Sequence, residues 1–165
     1  MNLADDDFTL LGMPQQYALN LSELQSRWKA ALTATHPDRF SQAGAAGQRL
    51  AMQWSVRLNE AYQRLKHPLK RAEYLCALRG VKVDAERNTA MPAAFLMQQM
   101  EWREALDDAK TDAAKQAICQ QLLAQVSRYE ALMTIALDVD CLPEVAAQHV
   151  RAWMFVDKLL LTLKT

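Results

Sequence analysis

Apolar positions along this chain recur every three or four residues rather than every second one, so the sequence reads as helix after helix. Residues 8–13 form a short first helix stopped by Gly12 and Pro14. Asn20-Leu21-Ser22-Glu23 has the form of a capping box, with Asn20 as the cap. Behind it, Leu21, Leu24, Trp28 and Leu32 share one helical face. That helix ends near His36, because Pro37 disfavours helical backbone in the residue before it. Residues 37–47, with Ser41, Gly44 and Gly47, read as a loop. Leu50, Trp54, Leu58, Ala61, Tyr62 and Leu65 then mark a long helix broken by Pro68, and residues 69–78 make another that stops at Gly80. Two antiparallel helices joined by a polar loop form a stable hairpin.

Residues 81–91 hold no sustained period and read as a connection. Three further helices are expected over about 92–109, 112–137 and 143–163, with Pro92 and Pro143 suited to first helical positions. The expected organisation is therefore all-α, with a first domain over 1–79, a linker over 80–91 and a three-helix bundle over 92–165.

Composition narrows the function more than the fold. The 165 residues are 51% hydrophobic, yet no apolar run approaches the ~20 residues of a membrane span. The acidic start, Asp5-Asp6-Asp7, is unlike a signal or transit peptide, so a cytoplasmic protein is expected. Net charge is zero; residues 1–80 carry 10 basic against 7 acidic side chains, and residues 81–165 carry 9 against 12. So weak a basic excess argues against nucleic-acid binding, and the asymmetry suggests two surfaces with different partners. Cys76, Cys119 and Cys141 have neither disulfide nor metal-site spacing, and the three histidines are scattered; no metal or cofactor is expected.

His36-Pro37-Asp38 stands between two amphipathic helices. Proline stiffens the tip, while the imidazole and carboxylate offer directional contacts to a partner's arginine or backbone amide. Alone, the tripeptide is equally an ordinary polar turn. Its setting resembles the J-domain family: the short first helix, the long second helix ending at the tripeptide, Arg39-Phe40 and Leu58-Asn59-Glu60-Ala61-Tyr62 all fit. The resemblance implies that His36, Pro37 and Asp38, with Arg27 and Lys29 as a basic face, dock on a DnaK-like chaperone and stimulate its ATP hydrolysis. Leu32-Thr33-Ala34-Thr35 stands where many J-domains carry an aromatic and further basic residues, which points to a specialised chaperone.

Two more segments narrow the resemblance to the HscB-type co-chaperones of iron–sulfur cluster assembly. They are His67-Pro68-Leu69-Lys70-Arg71-Ala72-Glu73-Tyr74-Leu75 and the stretch over residues 94–107. His67 and Arg71 also read as interdomain packing and pairing residues. The resemblance implies an L-shaped, two-domain molecule whose partners are an HscA-type chaperone and an IscU-type scaffold protein. Eukaryotic relatives often carry a cysteine-bearing amino-terminal extension, so the form expected here is bacterial.

The helix starting near Pro92 supports a binding role independently. At 100° per residue, Phe95, Trp102 and Leu106 make a core stripe, while Leu96, Met100, Glu104, Met97, Asp108 and Glu101 follow in angular order on a second face. That face runs from apolar to acidic. Either it meets a partner or the bundle buries it too. The resemblance implies scaffold binding through Leu96, Met97, Met100, Glu101, Glu104, Asp108 and Phe155. In the last helix, Ala146, Val150, Trp153, Val156 and Leu160 form the core face and Phe155 points to the opposite side, free to join the patch or to cover the first domain. Three alternatives stand: a J-domain protein with another client, an enzyme using His36 and Asp38 as an acid–base pair, and a helix-turn-helix nucleic-acid binder. The last two lack a supporting nucleophile, phosphate loop or basic excess.

Overall fold

The computed structural model describes residues 1–83 and 91–164. Among them the chain is all helical, and it divides into two compact units, Met1–Leu75 and Cys76–Thr165. Most of the segment read as a linker lies outside the described residues.

The first unit begins with α1 (Asp7–Leu10), shorter than expected because Asp6 caps it and Gly12 ends it. The Thr9 N–H donates to Asp6 Oδ1 at 3.0 Å, and Gly12 takes φ 65°. Helix α2 (Leu21–Ala34) starts at the expected cap, where the Glu23 N–H donates to Asn20 Oδ1 at 3.1 Å. Its final turns are tied locally: the Thr33 and Thr35 hydroxyls donate to the Lys29 and Ala31 carbonyls.

Residues read as a loop are structured instead. Pro37–Ala43 forms a 3-10 segment, and α3 (Gly44–Lys66) begins earlier than expected. Gly44 enters with φ 72°, a left-handed value that favours glycine. Gly47 is buried, and a Cβ there would lie 2.4 Å from the Ala43 Cβ and 3.2 Å from the Phe40 carbonyl oxygen. This glycine is inside a helix because the 3-10 segment lies against it.

Helices α2 and α3 pair through Trp28 and Tyr62, whose rings stack 4.1 Å apart and 5° from parallel. The Trp28 indole N–H donates to Asn59 Oδ1 at 3.0 Å. Leu24, Leu58, Ala61 and Leu65 are fully buried, whereas Leu21 and Leu50, expected on the same stripes, are exposed near the helix starts. Helix α4 (Pro68–Leu78) follows. The Lys70 N–H approaches His67 Nδ1 at 3.4 Å, and Arg71 donates to the Leu65 carbonyl at 2.6 Å with its guanidinium 4.7 Å from the Tyr17 ring centroid. Those contacts of His67 and Arg71 are made inside the first unit.

A buried carboxylate locks these helices. Asp7 has no exposure; it meets Arg57 at 2.8 Å and Arg64 at 2.6 Å, and its N–H donates to the Tyr74 hydroxyl at 2.9 Å. Burial pushes the Tyr74 phenol above its usual range, so it stays protonated.

The second unit comprises α5 (Ala93–Asp108), α6 (Asp112–Met133) extended by a π segment (Thr134–Val139), and α7 (Pro143–Lys164). Its core holds Trp102, Leu122, Met133, Leu137, Val150, Trp153 and Val156, with Tyr129 and Trp153 stacked at 6.2 Å. Leu159 is buried in place of the expected Leu160, which is half-buried. The end of α4 belongs to this unit: the Cys76 thiol approaches the Pro143 carbonyl at 3.8 Å, and Arg79 donates to the Leu137 carbonyl.

Removing one member of a buried ion pair strands the other, at about 3–5 kcal/mol. Because Arg57 and Arg64 keep some water contact, Asp7→Ala should cost the lower end, about 3 kcal/mol, in urea unfolding. A loss below about 1 kcal/mol would rule out this lock. In the second unit, burial and then nearby Arg128 lower the proton affinity of His149. The stability from its neutral form is full above the ordinary value of 6.5 and is lost as pH falls through the lowered folded value. His149→Gln should therefore flatten the fall in unfolding midpoint between about pH 7 and about pH 5.

Candidate functional site

The tripeptide occupies the turn between α2 and the 3-10 segment. His36 is extended and acts as the segment's cap, its Nδ1 accepting from the Asp38 N–H at 3.2 Å. The same Nδ1 lies 3.5 Å from Asp38 Oδ2. Pro37 supplies the fixed φ of a first helical position and needs no hydrogen-bond partner for its nitrogen. The His36 and Asp38 side chains are 59% and 92% exposed, so the turn presents both to solvent. Both side chains are thus displayed at the surface of the turn.

Arg27 and Lys29 are both exposed on α2, but two residues apart they sit about 200° around the helix from each other. They flank Trp28 on either side of the α2–α3 seam and do not make one basic face. Arg27 also pairs with Glu23 at 2.8 Å, one turn back. Thr35, beside the tripeptide, is buried and bound to its own helix, which removes it from any partner's reach.

In the second unit, α5 places six of the seven remaining candidates together. Leu96, Met97 and Met100 are 39%, 65% and 64% exposed, so the bundle does not bury the second face. Glu101, Glu104 and Asp108 are exposed beside them, and Gln98 donates to Glu101 at 3.2 Å. The buried face of the same helix is fixed by Trp102, with Phe95 meeting it edge-on at 6.2 Å.

Phe155 does not point away from the bundle as its own helix's periodicity suggests. It lies half-buried against α5, edge-on to Phe95 at 6.1 Å and under the Arg103 guanidinium at 5.2 Å. Around α5, Arg103 falls about 20° from Leu96, so Phe155 borders the exposed apolar face. Sequence reasoning missed Arg103. Its signal is helical spacing: it continues the Phe95–Gln99 row, the one that meets α7.

The C-terminal unit matches a known family domain: the model described as the HSCB C-terminal oligomerisation domain covers residues 91–164. The co-chaperone protein HscB homolog of Bordetella pertussis is 47% identical, over 94% of this chain and 92% of its own. The chain belongs to the HscB co-chaperone family. The homolog from Burkholderia multivorans is 44% identical over 96% of this chain and 91% of its own. Among solved structures, human co-chaperone protein HscB aligns with a TM-score of 0.92 at 25% identity, covering 99% of this chain and 83% of that one. Chaperone HscB from Vibrio cholerae aligns at 0.82 and 34% identity, covering 97% and 96%. An HscB-type assignment accounts for the fold class as an amino-terminal J-domain followed by a helical bundle. Among the described residues, no helix is long and apolar enough to cross a membrane.

In this HscB-family chain the 3-10 segment that follows His36 packs on Gly47 through Phe40 and Ala43. Gly47→Ala should therefore shift the 3-10 segment, displacing the backbone amide resonances of Asp38 and Arg39 in an NMR spectrum while those of α6 stay in place. Unmoved Asp38 and Arg39 resonances would show that the segment is not set by this contact.

Proposed function

We propose that this chain couples an IscU-type iron–sulfur scaffold protein to a specialised DnaK-like chaperone of the HscA type, in the bacterial cytoplasm, and stimulates the chaperone's ATPase. The observation that carries the reading is the exposure of Leu96, Met97 and Met100 on a helix whose opposite side is already packed. Three large apolar side chains beside Glu101, Glu104 and Asp108 form an adaptable surface with an acidic rim. That composition suits a partner with an apolar patch and basic neighbours. Phe155 extends the apolar area, and its ring is held in place by Phe95 and Arg103.

The chaperone side rests on the displayed turn. Asp38 offers a carboxylate to a partner's arginine, His36 presents its imidazole for a directional contact, and Pro37 holds the spacing between them. Of the two basic candidates, Lys29 is the freer, because Arg27 is engaged with Glu23. The chain breaks no bond itself. It shifts the chaperone toward its scaffold-gripping state only through contacts that differ between the chaperone's two states. Scaffold captured on α5 then reaches the chaperone at high effective concentration.

Two substitutions separate the sides. His36→Gln should leave scaffold affinity unchanged and reduce ATPase stimulation about tenfold, as loss of one directional hydrogen bond implies. Full stimulation by the folded variant would exclude the turn as the docking element. Leu96, Met97 and Phe155 changed together to Ala should weaken scaffold binding about a hundredfold or more in calorimetry. Retained affinity there would move the scaffold interface elsewhere.

A further inference from the structure

Beside the α5 face, on the far side of Phe155, lies a cleft of about 300 Å³ between α5 and α7. Gln99 and Arg103 line it from α5, and Arg151, Phe155 and Lys158 line it from α7. Three cations thus converge on one cleft. None of them has an ion-pair partner among the described residues, in contrast to Arg27, Arg57 and Arg64 of the first unit. The sequence explains this: the positions three and four residues from Arg151 are Ala147, Gln148, Met154 and Phe155, and those from Lys158 are Met154, Phe155, Leu161 and Thr162. No carboxylate stands where a helical neighbour would neutralise them. Asp107, one turn beyond Arg103, forms no ion pair with it among the described residues, and the Arg103 guanidinium lies over Phe155 instead. The Arg151 Nε is buried and makes no hydrogen bond.

A buried guanidinium nitrogen without an acceptor is costly, and nearby cations repel one another. The arrangement is relieved by an anion entering from outside. We infer that this cleft receives an acidic side chain, an Asp or Glu carboxylate, of the same protein partner that docks on Leu96, Met97 and Met100. The inference rests on the scaffold-binding reading and extends it. The docking surface is bipolar, with Phe155 as the boundary. Partner cations meet Glu101, Glu104 and Asp108 on one side, and partner carboxylates meet Arg103, Arg151 and Lys158 on the other. Opposite signs flanking one apolar strip fix the orientation of the partner, since a reversed partner places like charges together at both ends. The cleft fits a side chain that reaches in from the adjoining strip, and an arginine fork at its base suits a carboxylate.

The test uses the full chain with an IscU-type scaffold protein as the probe, titrated calorimetrically over a range of salt concentrations. Two variants are made: Lys158→Glu alone, at an exposed position that leaves the core untouched, and Arg151→Gln with Lys158→Gln. Circular dichroism confirms that each is folded. The expected result is binding weakened roughly five- to fiftyfold by either variant, with a shallower salt dependence for the doubly neutralised one. Scaffold-free ATPase stimulation should be unchanged, because neither residue belongs to the tripeptide turn. Unchanged or tighter scaffold binding by both variants, while the Leu96, Met97 and Phe155 alanine variant loses it, would overturn the cleft assignment and leave the proposed function standing. If that alanine variant also binds normally, both fall.

Discussion

The buried carboxylate of Asp7 ties together the helices of the first unit on which the rest of it is built. A charge without exposure is tolerated only if its partners surround it, and the partners here come from two helices distant in sequence from α1. Arg57 and Arg64 lie two turns apart on one face of α3, and the Tyr74 hydroxyl comes from α4. Arg57 also donates to the Leu3 and Asp5 carbonyls, and Arg64 reaches Glu60 and covers the Tyr74 ring. With α1, α3 and α4 tied at one end, α2 is left to pair with α3 through Trp28 and Tyr62. The free end of that pair is the His36-Pro37-Asp38 turn. The turn is thus held at the end of the pair away from the lock.

Much of this was legible in the amino-acid pattern because it is local. A proline ends a helix through its neighbour's sterics, and Asn20 caps through a contact three residues long. The break at His36 and the start of α2 needed no tertiary information. What the pattern hid depends on partners distant in sequence. Gly44 and Gly47 look like loop residues, yet Gly47 is helical because the 3-10 segment needs its missing side chain. Asp7 reads as one of three acidic residues at a solvent-facing start, and only the arginines 50 and more positions later make it a core residue.

The proposed binding surfaces divide the same way. Helical periodicity separated the packed face of α5 from its exposed one, because both are measured around a single axis. It misplaced Phe155, since angular position on α7 does not say which neighbour lies there; the ring turns out to rest on Phe95 and under Arg103. It also could not reveal the cationic cleft, which exists only where two helices bring Arg103, Arg151 and Lys158 together. Resemblance to a family transferred Arg27 and Lys29 as a pair, but two residues of helix put them on opposite flanks of Trp28.

We propose that the turn and the α5 face act as one device because one chain carries both. The most direct measurement is complementation: the His36→Gln chain and the chain with Leu96, Met97 and Phe155 changed to Ala are mixed, and chaperone ATPase is followed with scaffold present. The account predicts that the mixture stimulates no better than the sum of its two members, since captured scaffold and the competent turn sit on different molecules. Restoration to the level of the unaltered chain would contradict it and show that the two faces work independently.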